Sequence, residues 1–404
     1  MNKMFKALLG RSVVLLLAFT LAAFGATSHV AASLFEPGAL YAGNEGDSSI
    51  VKIEADGTGQ TIFASGVPFG GPFTMTALAF DPKGEFLYFA RPSGTGPEGG
   101  DGKIWRLDAQ GNAILFADKR PNGSFLNAFG LAFSPDGTLH ALLLGPTQIV
   151  SFDAEGNATL VHDTSQFAQT IGFAISSSGE LFWSDVDAKT VRRATGPTTS
   201  EIFADASDGL ERPTGLAFDR FGRLYVADFV ASAKVFRFDG PHSGTVIADA
   251  SVGAFAPIAV VVDRLDNLYA ANFCIGQAST ILKLTLDGAP TGPQPFADLA
   301  DGLRCTRSLA VMSEPLLEAI QNLIADINSL DLPTSVEISL TGPLNEVVNI
   351  LCDNNPNNDA AACGELGAFI NQVNAKEKNG QLTPAEADGL RQSAEANEAS
   401  LGCP

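Results

Sequence analysis

Histidine is scarce in this chain: four residues in 404, at 29, 140, 162 and 242. Imidazole is the commonest proton carrier of hydrolases and lyases, so there is little material for general-base chemistry. Basic residues are short as well, 25 Lys and Arg against 45 Asp and Glu for a net charge of −20. That balance offers no basic face for phosphates and excludes nucleic acid as a partner. No Gly-x-Ser-x-Gly elbow, phosphate-binding glycine loop, Cys-x-x-Cys pair or His cluster occurs, so the usual signatures of acyl transfer, phosphoryl transfer and zinc binding are missing. Beyond the N-terminus, no apolar run approaches the roughly 20 residues of a membrane-spanning helix.

What is present starts with an address. Lys3, Lys6 and Arg11 precede an apolar stretch from Val13 to about Gly25, and small residues follow at Val30-Ala31-Ala32. This pattern predicts a cleaved signal peptide over 1–32 and a secreted protein, extracellular or periplasmic; a membrane anchor would need a longer run. Cleavage removes three cations and makes the mature chain more acidic still. An oxidising destination turns the five cysteines into disulfide candidates.

The body of the chain repeats itself, and 45% apolar residues with 41 Gly and 22 Pro suit β-structure rich in turns. A Leu-aromatic step, or its equivalent, recurs at Leu40-Tyr41, Leu87-Tyr88, Leu139-His140, Leu181-Phe182, Leu224-Tyr225 and Leu268-Tyr269, spaced by 47, 52, 42, 43 and 44 residues. An inner strand led by Gly, Ala or Ser recurs at Ala77, Gly130, Gly172, Gly215, Ala259 and Ser308. A fourth, apolar strand recurs at Ile62-Phe63-Ala64, Leu115-Phe116-Ala117, Leu160-Val161-His162, Ile202-Phe203-Ala204, Val246-Ile247-Ala248 and Pro295-Phe296-Ala297. Four strands in about 43 residues is the period of a propeller blade, whose inner strands converge and require small residues. The first unit lacks an inner strand and 308–312 is an inner strand alone, so the two ends should share blade one. The expectation is an all-β six-bladed propeller over 33–313, followed by an all-α module over 314–404.

With those repeats, residues 39 to 312 resemble the six-bladed propellers of the NHL-repeat and SMP-30 (gluconolactonase-like) type, and Leu181-Phe182-Trp183-Ser184-Asp185 is similar to the YWTD repeat of receptor propellers. The gluconolactonase resemblance implies a divalent cation held by a Glu, two Asn and an Asp. Here the corresponding positions hold Ile171, Thr214 and Ala128, and no Glu stands near Thr306 and Arg307. An apolar side chain cannot replace an oxygen ligand of a hard cation. The tail, with Leu366 to Ala375, Gln381-Leu382-Thr383 and Gly402-Cys403, resembles a helical-hairpin module of bacterial secreted proteins.

In that tail, apolar spacings of three and four predict a helix capped by Ser313 with Pro315 in its first turn, a second starting at Pro343, a third over about Ala361 to Ala375, and a fourth opened by Thr383-Pro384-Ala385-Glu386. From Ser313 onward it carries 14 acidic and 3 basic residues. It reads as a solvated acidic cap or as a docking unit. Cys274 and Cys305 should meet on one propeller face near the closing seam. Cys363 and Cys403 pair next, with Cys352 left over and a Cys352–Cys403 pairing as the alternative.

The second strands end in a ring of Asn44, Arg91, Leu143, Asp185, Asp228 and Asn272. Asp185, Asp228, Asn272 and Asn44 belong to consecutive blades and form one arc, with Arg91 beyond. Such an arc fits a small molecule, a glycan or a protein, with Asp185 and Asp228 as candidate Ca²⁺ ligands; alternatively its carboxylates brace the blades through backbone hydrogen bonds. Together these features point to a secreted, non-catalytic binding module, with a metal-dependent lactonase or hydrolase as the alternative.

Overall fold

The computed structural model describes residues 35 to 403 except 37, 46, 66–74, 93–100, 166–168, 220, 230–232, 264–265, 275–278, 293, 313–315, 331, 353–358 and 402. The expected signal segment, Ser313 and Pro315 lie outside the described residues, as does the side chain of Cys352. Six antiparallel sheets follow one another along the chain. Blade one closes as the repeat predicts. Its inner strand is Thr306–Val311 from the far end of the chain, paired to Leu40–Asn44, which continues through Ile50–Ile53 to Gln60–Ala64. Cys274 and Cys305 are bridged beside this seam, and Cys363 is bridged to Cys403.

Small residues lead the inner strands because the next blade leaves no room for more. A Cβ on Gly172 would sit 1.8 Å from the carbonyl oxygen of Thr214, and one on Gly215 would sit 2.7 Å from Cα of Ala259. The obstacle is the neighbouring inner backbone, not a crowd at the axis. Polar side chains bridge the same gap: Ser184 accepts from the N–H of Gly172 and donates to Thr214 O at 2.9 Å, and Thr76 donates to Ala128 O.

The outer rim has its own repeated contact. In five blades the outer strand carries a bulge, so that one residue, Phe63, Phe116, Val161, Phe203 or Ile247, has no partner across the ladder. The bulge lets two successive apolar residues face inward, as Phe203 and Ala204 do, while Ile62, Leu115, Leu160, Ile202 and Val246 stay exposed. Onto the carbonyls it leaves free docks the outer turn of the following blade. Gly156, at φ 82°, lies so close to Phe116 O that a Cβ would approach it to 2.0 Å. His242 donates its backbone N–H to Phe203 O, and the Nδ1 of buried His162 meets Gly196 O at 2.6 Å. Two of the chain's histidines therefore belong to rim contacts.

Blade six departs from the predicted pattern. It has three strands, Pro257–Val262, Asn267–Asn272 and Thr280–Thr285, and the expected fourth strand at Pro295-Phe296-Ala297 is reduced to one bridge from Ala297 to Ile281. Pro295 has no N–H to give to a ladder. Thr291 and Gln294 cover the edge instead by donating to Lys283 O.

The C-terminal segment forms four helices: α1 (Leu316–Ser329), α2 (Thr334–Cys352), α3 (Asp359–Lys378) and α4 (Pro384–Leu401). Consecutive helices pack together and α1 also meets α4. Their shared core, with Ile320, Leu340, Leu344, Leu366, Phe369 and Leu390, draws only on residues of this segment among those described, Leu382 of the loop before α4 included. Pro343 does not start the second helix as expected but lies inside it. The apolar stripe of Val336, Leu340, Leu344 and Val347, all buried, runs across it, and this burial outweighs the roughly 3 kcal/mol that an internal Pro costs. Thr383 and Glu386 form the expected capping box at the start of α4.

Two measurements check these packing rules. Gly156 and Gly179 share φ 82°, but nothing lies within 4 Å of a Cβ on Gly179. Gly179→Ala should cost about 1 kcal/mol of backbone strain and Gly156→Ala about 3 kcal/mol or more in urea unfolding, because its methyl strikes backbone; equal losses would refute the rim contact. Second, burial holds His140 below its ordinary value of 6.5, with its bond to Thr138 O pulling the other way, and burial does the same to His162. A histidine that charges only when unfolded binds more protons in the unfolded chain, so stability is lost as pH falls from 6.5 toward the folded value. The urea midpoint should drop between about pH 7 and about pH 5, and drop less in His140→Tyr; an unchanged drop would assign it to other groups.

Candidate functional site

The residues that end the second strands are buried, and their polar atoms point at backbone. Asp228 accepts from Arg212 N at 2.6 Å and Glu211 N at 3.1 Å. Asn272 accepts from Phe255 N and Ala256 N and donates to Gly253 O and Thr280 Oγ1. Asn44 accepts from Arg304 N at 3.0 Å and donates to Gly302 O and Ser49 Oγ. In each case the side chain grips the loop that enters the same blade. Asp185 accepts from Ala188 N, within its own turn. Arg91, also buried, lies 3.7 Å from Asp101; burial lowers its pKa, and Asp101 opposes the shift.

This geometry bears on the cation reading of Asp185 and Asp228. Backbone N–H groups approach both oxygens of Asp228, an arrangement that stabilises a carboxylate but presents donors where a cation needs acceptors. Among the described residues, the one cluster of three metal-ligating side chains is elsewhere, at Asp205, Asp208 and His242. There Asp208 already accepts from His242 Nδ1 at 2.8 Å and from the N–H of Asp205, and Asp205 caps the short 3₁₀ turn that follows it.

What the grip presents is the layer above. The residue after each strand end donates its N–H back to the gripped loop: Phe229 to Arg212 O, Phe273 to Ala256 O and Glu45 to Cys305 O. Two-way bonding fixes both backbones and sets their side chains side by side. The Arg212 guanidinium, exposed, lies 5.4 Å from the centre of the Phe229 ring. Phe229 and Phe273 are half-buried, 6.1 Å apart and nearly edge-to-face. Arg307 lies 5.8 Å from the Phe273 ring and donates to Glu45 at 2.8 Å. The Cys274–Cys305 bridge ties the segment that follows Phe273 to the loop that enters the strand of Arg307.

Sequence reasoning located the arc but missed this layer. Its signal was the repeated step from acceptor to phenylalanine, Asp228-Phe229 and Asn272-Phe273. The positions preceding the small residue of each inner strand are Arg307, Thr76, Phe129, Ile171, Thr214 and Ile258, one charge in an otherwise uncharged set. At the opposite end of the inner strands, a cavity of about 260 Å³ is lined chiefly by apolar side chains of blades one, two and six, including Leu78, Phe80, Val261 and Val311. Asp81 is its single carboxyl; burial raises its pKa although it accepts from the N–H groups of Phe86 and Glu85.

No family model and no curated protein matches this sequence. Solved structures do. A nidogen/laminin complex chain superposes with a TM-score of 0.51 at 18% identity, over 68% of this chain and 98% of that one. A protein of unknown function from Bacteroides caccae gives 0.48 at 14%, over 69% and 100%. Virginiamycin B lyase from Staphylococcus aureus gives 0.40 at 14%, over 56% and 73%. At such identities likeness speaks for fold alone, and the chain is a six-bladed β-propeller followed by a segment of four helices.

Proposed function

We propose that this protein is an exported, non-catalytic binding module whose ligand contacts the propeller face where the second strands end. The observation that carries the reading is the strip of Arg212, Phe229, Phe273 and Arg307, held from below by Asp228, Asn272 and Asn44. A preorganised set of cations and aromatic faces can bind without chemistry, since little conformational entropy remains to be lost. The positions that would hold a lactonase cation are occupied by Ile171 and Thr214. Export is supported by the N-terminal segment, two disulfides and the lack, among the described residues, of a helix able to cross a membrane. One similar structure is that of a nidogen/laminin complex, in keeping with a binding role for this fold. The helical module over 314–404 we assign to solvation of the exported protein.

The test is made on protein recovered from the medium or periplasm. Its N-terminus should begin after Ala32, elemental analysis should find less than stoichiometric divalent metal, and a panel of lactones and esters should be left intact. Turnover abolished both by chelation and by Asp185→Asn would overturn the non-catalytic reading in favour of a metal-dependent hydrolase.

A further inference from the structure

The same strip also restricts the chemistry of its ligand, an inference that rests on the binding reading of this face. Carboxylates are plentiful in a chain with 45 acidic residues against 25 basic ones, and several half-buried arginines are paired with them. Arg193, Arg237 and Arg391 each have two. Arg212 takes part in none of the described ion pairs and lies over a phenyl ring. Asp228 holds its backbone N–H. Arg307, at the other end, is engaged by Glu45 with one nitrogen and keeps the other edge of its guanidinium for a further acceptor.

We infer that this strip binds a carboxylate carried on a six-membered ring, the chemistry shared by uronic-acid units of acidic glycans and by aromatic acids. Each guanidinium stands beside a half-buried phenyl face, so a ligand using both needs an anionic group next to a flat apolar surface. A linear acidic peptide supplies the charge without the surface, and a neutral sugar supplies the surface without the charge. Arginine pairs with carboxylates in planar, bidentate fashion, and the adjoining Phe255, half-buried in the loop gripped by Asn272, widens the apolar floor.

Calorimetric titration of the mature protein at low salt, with trigalacturonate and 4-hydroxybenzoate as the two acids and maltotriose and hexaglutamate as controls, tests the inference. At least one acid should bind saturably, and which of them does so identifies the source. Arg212→Ala should weaken that binding about tenfold or more, the loss of a charge-assisted pair, Arg212→Lys should restore part of it, and Phe229→Leu should weaken it at an unchanged urea midpoint. Maltotriose or hexaglutamate binding as tightly, with the same sensitivity to Arg212→Ala, would overturn the ring-carboxylate assignment while leaving the face as a binding site. Saturable binding indifferent to every variant would place the ligand elsewhere and sink the proposed face itself. If neither acid binds to folded protein, the ring-carboxylate inference fails.

Discussion

Everything in the propeller depends on one seam, where the strand Leu40–Asn44 at the start of the described chain pairs with Thr306–Val311 some 260 residues later. An open row of blades would expose the inner strands of its ends, and the ring exists only when that pair forms. The seam is reinforced on both sides. Asn44 joins the loop at Gly302 and Arg304, and the Cys274–Cys305 bridge fastens that loop to blade six. Closing so long a loop is entropically expensive, and a bridge within it lowers that cost by restricting the unfolded chain.

Ring closure then dictates spacing. Six sheets must come close enough on the inside for the backbone of Thr214 to reach Gly172, and on the outside for the turn at Gly156 to reach Phe116 O. These two contacts, one near the axis and one at the rim, set the tilt of each blade against the next. Where glycine is missing at the rim, a hydrogen bond makes the contact: His242, at φ 51°, gives its backbone N–H to Phe203 O. A histidine that could pass for a catalytic candidate is thereby explained by packing.

The repeat made the architecture legible because every blade faces the same steric demand and answers with the same residue types. What stayed hidden was whatever depends on backbone partners. Pro295 sits in a column of outer strands and looks like a sixth copy, yet a missing N–H removes its ladder. Pro343 has the look of a helix start, and only the buried stripe on both sides of it shows that the helix runs through. The arc of Asn44, Asp228 and Asn272 was visible as acceptors at strand ends, but its partners are main-chain N–H groups of loops, which no side-chain pattern records. The expected boundary at 313–314 rests on a change of texture from strand period to helix period.

The face is accordingly built in two layers with different duties. The lower layer grips backbone in blades one, five and six. The upper layer uses the register that the lower one fixes: because Phe229 bonds back to Arg212 O and Phe273 to Ala256 O, whatever side chain follows the acceptor is held against the entering loop at hydrogen-bond distance. Blades one and four place Glu45 and Val186 at the same position. Character can therefore change from blade to blade without disturbing the ring. The aromatic and cationic sector over blades five, six and one is where the chain departs from plain bracing, with Glu45 paired to Arg307 and exposed Glu211 adjacent in sequence to Arg212. In a chain of net charge −20 long-range attraction of an anion is weak, so the proposed ligand would be held by short-range contact with the two guanidinium groups and the phenyl rings beside them.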